Sequence, residues 1–288
     1  MATKPKNNEI LNFLASYKEI TLLLPLLILL IALFLFPIVK VLFTGFYDNG
    51  FTLKHFHRIF TSPLYMQVLL KTLKISMVVT LFSVLLGYPV AYLFYNISER
   101  TRNLLMVIVL IPFWTSVLVR TYGWMVLLGK NGLMNNILLK LGIISTPIPL
   151  MYNESGVYLG MTQVLLPFMI LPLYSVISKI DRNLLRAGEI LGASPLSVFA
   201  KIFFPLSIPG VATGSILVFL LALGFYITPA LLGGRKEIMI AVLIADQIDV
   251  LLNWGFAAAL AFLLLITTFC VLFVSNKLFK LDRIIRQI

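Results

Sequence analysis

The chain has 288 residues, of which 60% are apolar and 12% charged, and its mean hydropathy is +1.01. That balance lies far outside the soluble range and makes the protein an integral membrane protein. Its net charge of +12 comes from 23 basic against 11 acidic residues, yet no basic cluster is interleaved with aromatics as a nucleic-acid surface requires.

Residues 1–19 are polar and expected as an N-terminal tail. The first apolar run, 20–43, is too long for a signal-peptide core and lacks a small-residue cleavage site after it, so it reads as a retained span. A hairpin-like polar section, 47–63, holds the two histidines, His55 and His57; they lack a third ligand and are expected as a solvated loop pair. The second span covers about 67–95, interrupted by Gly87 and Pro89, and a short connection, 96–103, leads to the third, 104–128, with Pro112 inside it. The polar stretch 129–154 holds a predicted short helix, 133–141, before the fourth span, 156–178, with Pro167 and Pro172. A loop at 179–206 follows, then the fifth span, 207–232, ended by Gly233-Gly234. Polar residues 235–253 precede the sixth span, 254–275, and residues 279–288 form a tail. Residues 20–278 are thus expected to form one all-α membrane domain of six transmembrane helices, each run being long enough to cross with some tilt. Cys270 lies inside the last run, which leaves neither an intrachain disulfide nor a metal-ligand spacing.

The two tails and the connections at 96–103 and 179–206 carry Lys4, Lys6, Lys18, Arg100, Arg102, Lys179, Arg182, Arg186, Lys201, Lys277, Lys280, Arg283 and Arg286. The opposite connections carry Lys54, Arg58, Lys130, Lys140, Arg235 and Lys236, while Lys40, Lys71, Lys74 and Arg120 lie in or beside spans. The bias places both termini and the 179–206 loop in the cytoplasm of a multi-pass protein. Pro89, Pro112, Pro167, Pro172 and Pro229 release backbone groups that neighbouring helices or a wet cavity must satisfy. Gly210-x-x-x-Gly214 and Gly255-x-x-x-Ala259 permit close helix approach.

The loop has the grammar of two helices meeting at a corner. Asp181 caps the first, Gly192 suits the left-handed position that ends it, and Ser194-Pro195 reads as the cap and first residue of the second. Leu184, Ala187, Gly188 and Leu191 fall at i, i+3, i+4 and i+7, and Pro205 and Pro209 are expected to stop the second helix and restart the chain. The loop reads either as an amphipathic segment on the membrane surface or as an apolar docking corner. A second polar cluster gathers toward the expected outer ends of the third and fifth spans, where Trp114, Arg120, Tyr122, Trp124, Tyr226 and Thr228 are the candidate solute-pathway residues. No Asp or Glu falls within a span core, which argues against a proton relay or a carboxylate sodium site. With no glycine-rich phosphate loop, the chain is expected to be a non-hydrolysing subunit.

Leu191-Gly192-Ala193, followed by Ile202, Phe204-Pro205 and Pro209-Gly210, resembles the cytoplasmic loop of permease subunits of binding-protein-dependent ABC importers. Ala187 stands at that loop's first alanine, whereas Arg186 replaces its usual glutamate, Gly188 its second alanine and Phe204 its leucine. The runs from Ile111 to Trp124, Leu127 to Leu133, Leu166 to Tyr174 and Thr228 to Gly234 are similar to the spermidine/putrescine-type branch of those permeases. The resemblance covers about residues 50–270, and it implies a type I importer permease fold with a coupling helix between spans four and five. It also implies a bacterial plasma (inner) membrane location and four kinds of neighbour: a second homologous permease subunit, two ATPase subunits, an extracytoplasmic solute-binding protein and lipid. ATP and Mg²⁺ would be held by the ATPase partner, with no cofactor and no catalytic or metal residue in this chain. Arg186, Ala187, Gly188, Glu189, Leu191, Gly192, Ala193, Ser194 and Pro205 would carry the ATPase coupling. The solute implied is a polyamine or a related amine or amino-acid-like compound. Phe225 stands where the branch often has an aspartate, and relatives in it handle opines, aminobutyrate-like compounds and phosphonates. The competing readings are a stand-alone secondary transporter or channel, which inverted repeats would favour, and a membrane scaffold.

Overall fold

Apolar runs that must satisfy their own backbone groups in lipid form helices, and every described regular element here is helical apart from a lone antiparallel bridge between Tyr47 and Phe51. The structure is a computed structural model that describes residues 23–48 and 50–279. The expected tail at 1–19, all but Phe279 of the expected tail at 279–288, and the first residues of the first span lie outside it.

In chain order the helices are α1 (Leu23–Thr44), α2 (Lys54–Thr61), α3 (Pro63–Asn96), α4 (Glu99–Trp114), α5 (Val117–Leu128) and α6 (Leu133–Lys140). They continue with α7 (Glu154–Ile177), α8 (Arg182–Ile190), α9 (Pro195–Leu223), α10 (Ile227–Leu232), α11 (Ile240–Asp249) and α12 (Trp254–Phe279). Among the described residues five helices are long and apolar enough to cross a membrane, and they become six if the bent pair of α4 and the segment Val117–Lys140 counts as one span.

The core is a seam of α3, α7 and α9 that closes on Met169. A Cβ added to Gly87 would meet Met169 Cγ at 2.9 Å, and one added to Gly214 would meet its Sδ at 2.7 Å and its carbonyl oxygen at 3.1 Å. Gly210 abuts Leu173 Cα at 3.1 Å in the same way. Small residues therefore let the three backbones approach closely, as Gly210-x-x-x-Gly214 indicates. Ile75, Val79, Met161, Leu165 and Val218 fill the space around this contact and are fully buried or nearly so. By contrast, no residue in the spanning window of α1 is buried, and α1 packs beside α12, where Gly45 presses on the backbone of Ala258 and Ala259.

Four expectations are corrected. Pro205 and Pro209 do not stop the chain, because α9 runs unbroken from Pro195 to Leu223. A π-type turn at Phe199–Phe203, in which the Phe204 N–H donates to the Phe199 carbonyl, widens the helix just before Pro205 and absorbs its ring. The same device, Ile31–Leu35, precedes Pro37 in α1. The third span is not one straight helix: α4 ends at Trp114 and the chain turns by 98° before α5. Residues 235–253 are not simply a polar connection, since they contain α11, whose Ile240 N–H donates to the buried Thr72 hydroxyl at 2.9 Å. Nor is His55 solvated. It is buried on α2 against Gly255 and Phe256, while His57 is exposed.

Candidate functional site

The 179–206 loop is built from local capping. Asp181 Oδ1 accepts the Asn183 N–H at 2.9 Å and starts α8. At the far end Ala193 N–H donates to the Gly188 carbonyl at 3.1 Å and Gly192 N–H to the Glu189 carbonyl at 2.9 Å. This pair of bonds is a Schellman closure, and Gly192 sits at the φ of +85° that it requires. Ser194 Oγ then accepts the Ser197 N–H, with Pro195 in the first turn of α9. Gly188 is buried inside the corner, where an added Cβ would meet Ile202 Cδ1 at 2.9 Å and Val198 Cγ2 at 3.3 Å.

The corner presents apolar side chains outward and is wedged to the spans inward. Ile190, Leu191 and Leu196 are 85%, 87% and 76% exposed, with Arg186, Ala187 and Glu189 also on the surface. On the inner side Phe203 is buried and meets Tyr92 and Tyr95 of α3 edge-on, at ring separations of 5.0 and 5.3 Å. Phe199 stacks on Phe203 and meets Tyr92 at 5.4 Å. Tyr95 donates to the Ile180 carbonyl at 3.2 Å, Tyr88 shares a hydrogen bond of 2.9 Å with Ser207, and Arg182 donates to the Tyr95 carbonyl with its guanidinium over the Tyr95 ring. The base of the corner is thus packed against α3 through aromatic rings. The aromatic wedge escaped the sequence reading, although Phe199, Phe203, Tyr88, Tyr92 and Tyr95 recur at helical spacing.

At the break between α4 and α5 lies a cavity of about 250 Å³ lined by Phe113, Thr115, Arg120, Pro167, Phe168 and Phe225, among others. Phe113 and Phe168 pack at 4.9 Å across it. The Nε of Arg120 is buried without a hydrogen-bond partner. Of the other pathway candidates, Thr228 is buried and shares a 3.2 Å hydrogen bond with Thr121, which ties α10 to α5. Trp124 is half-buried, and Trp114, Tyr122 and Tyr226 are exposed on the flanks. The fold therefore brings Arg120 to the cavity lining and leaves the other five candidates out of it.

A polar cluster at the other end of the bundle from the corner also escaped the sequence reading. Glu154, in the first turn of α7, accepts from Lys71 at 2.9 Å, Lys74 at 2.7 Å and the Tyr158 hydroxyl at 2.6 Å. Lys71 and Lys74 lie three residues apart on α3, so one carboxylate clamps two helices distant by 80 or more residues in the chain. Replacing Glu154 with Ala leaves two ammonium groups beside the bundle without their counter-charge, and a loss of about 1–2 kcal/mol is expected. Thermal unfolding of purified protein checks this; an unchanged midpoint for the alanine variant would show that the clamp contributes nothing. Among the described residues no group of three His, Cys, Asp or Glu side chains is placed to hold a metal.

A membrane bundle with a cavity at a broken span and a stiff corner projecting from one end is a transporter's membrane-embedded part. The profile of the binding-protein-dependent transport system inner membrane component matches residues 83–280, and the chain belongs to that family. It is 41% identical over 215 residues to the spermidine/putrescine transport system permease protein PotB of Salmonella typhimurium strain LT2, covering 75% of each chain. Against PotB of Escherichia coli K12 the identity is 40% over 230 residues, covering 80% of this chain and 83% of that one. A crystal structure of a bacterial ABC transporter involved in import of the acidic polysaccharide alginate superposes with a TM-score of 0.76 at 17% identity, covering 94% of this chain and 98% of the other. The fold is that of type I importer permeases, and the chain is a translocation subunit of a binding-protein-dependent importer.

Proposed function

We propose that the chain forms half of the pathway of an ATP-driven importer for a polyamine or a related amine, delivered by a solute-binding protein. A second permease subunit builds the other half, two ATPase subunits bind ATP and Mg²⁺, and the corner end of the bundle faces the cytoplasm together with both termini. The observation that carries this reading is the corner itself: Ile190, Leu191 and Leu196 stand almost fully in solvent on a backbone closed by two caps. Apolar side chains on a rigid protrusion are a docking surface, and the aromatic wedge behind them transmits closure of the ATPase to α3 and α9. Arg186, Ala187 and Glu189 surround the contact. Support for the solute class comes from the 40% identity to PotB.

The experiment is reconstitution. The chain should copurify with an ATPase subunit, and the loaded binding protein should raise ATP turnover of the complex in liposomes several-fold. Uphill uptake by this chain alone would overturn the reading in favour of a secondary transporter. A second reading of the solute's charge rests on the guanidinium of Arg120 at the cavity, with no acidic side chain among the residues that line it. A solute bearing an anionic group beside its amine would complete that site, and a ligand screen of the binding protein separates the two.

A further inference from the structure

On the inner side of the corner lies a second cavity, of about 430 Å³, between the ends of three membrane helices and the start of α8. Its wall is Tyr95 at the end of α3, Arg102 in the first turns of α4, Tyr174 and Ser178 at the end of α7, and Lys179, Arg182 and Arg186 around the turn into α8. Four cations thus face one cavity with a single acid, Asp181, whose Oδ1 is already engaged in capping Asn183. Glu99 approaches Arg102 at 3.9 Å, but its side chain is 79% exposed, and an ion pair of that kind is weak. Arg182 is held on the neutral Tyr95, and neither Lys179 nor Arg186 has an ion-pair partner among the described residues, so the cavity keeps a net positive charge. Helix C-termini at Asn96 and Ile177 favour some positive charge here, although a macrodipole amounts to about half a charge per helix. The excess of cations is larger than the two ends require.

We propose that this cavity binds the phosphate of an anionic glycerophospholipid headgroup, and that the bound lipid braces the turn between α7 and α8. The cavity lies where three spanning helices end, which is the depth of the headgroup layer, and its two tyrosines have the amphipathic character that this layer favours. Basic cavities between membrane helices on the cytoplasmic side have the chemistry for such headgroups. The knuckle residues Ile190, Leu191 and Leu196 do not line it, and Arg186, at the edge of the docking contact, is the one residue the two share. The leaflet assigned rests on the orientation proposed above; the binding chemistry does not.

The test uses the intact transporter complex in nanodiscs of phosphatidylcholine with increasing phosphatidylglycerol, compared with a complex carrying Arg102→Gln and Lys179→Gln. Neither residue belongs to the docking surface. Native mass spectrometry should show phosphatidylglycerol retained by the parent complex, with affinity lowered roughly 30-fold in the double variant, since each basic residue near an anionic surface contributes about a fivefold factor. A Lys130→Gln, Lys140→Gln control at the opposite end should retain the lipid. Equal retention by parent and double variant overturns the proposal. Displacement of the lipid by millimolar inorganic phosphate identifies a free-anion site and overturns it as well. So does loss of the ATPase subunit from the double variant with lipid retention unchanged, because the cations would then serve an acidic surface on that subunit. Thiol accessibility of Ser98→Cys in a Cys270→Ser background reports sidedness independently, so an error in orientation is distinguishable from an error in the site.

Discussion

Replacing Leu191 with Asp should abolish most uptake while leaving the protein folded. Leu191 is 87% exposed, so its own fold loses little by the change, and surface substitutions of this kind stay within about 0.5 kcal/mol. Burial of a leucine in a partner's groove contributes about 1.5–3 kcal/mol, and a carboxylate forced into the same groove adds a desolvation cost. Together these weaken docking on the order of 100-fold, at 1.4 kcal/mol per tenfold. Gly192→Val acts by a different route. Nothing lies within 4 Å of the Cβ it would add, but a β-branched residue at φ +85° strains the Schellman closure by about 1–2 kcal/mol and re-aims the knuckle. Uptake, ATPase capture and thermal midpoint measured on both variants decide the matter. Normal uptake by Leu191→Asp would remove the docking surface from the account, whereas lost uptake with a lowered midpoint would point to folding instead.

What the sequence made legible follows the range of the interaction. The corner was readable because Asp181, Gly192 and Ser194-Pro195 act on backbone groups two to three residues away. The apolar runs were readable because lipid imposes length and composition directly. The bend after Trp114 was hidden, since Pro112 signals a kink but not its angle, and the 98° turn lies beside a contact with another helix, Phe113 on Phe168, that no local pattern announces. Pro205 misled for a related reason: its local rule is to stop a helix, and a π-type turn together with the Phe199–Phe203 packing on α3 overrides it. Glu154 bridges 80 and 83 residues of chain, and no local pattern announces such partners. His55 is the same case in an apolar setting, because its burial depends on Gly255 arriving from α12.

Gly214→Leu should unfold the bundle, and Gly123→Ala should not. Both glycines lie inside helices, and propensity alone favours replacing either by about 0.5–1 kcal/mol. Gly123 on α5 has open space where its Cβ would go, so Gly123→Ala is expected to keep that gain. At Gly214 the nearest atoms are Met169 Sδ at 2.7 Å and the Met169 carbonyl oxygen at 3.1 Å. The thioether can swing aside in a loose site, yet here Gly87 of α3 closes on it so tightly that an added Cβ there would lie 2.9 Å from Met169 Cγ, and Met169 is fully buried. A leucine must therefore move backbone, prising α9 from α7 and exposing the seam from Ile75 to Val218. Overpacking of this kind costs about 1–3 kcal/mol where neighbours yield and more where a backbone is the obstacle. Pairing Gly214→Leu with Met169→Ala frees the volume of the thioether and should recover part of the loss, even though Met169→Ala alone costs about 2–5 kcal/mol. Tryptophan fluorescence melts of the four proteins measure the coupling: a melting midpoint for Gly214→Leu equal to that of the parent, or strictly additive losses in the pair, would show that α7 and α9 do not meet at Met169.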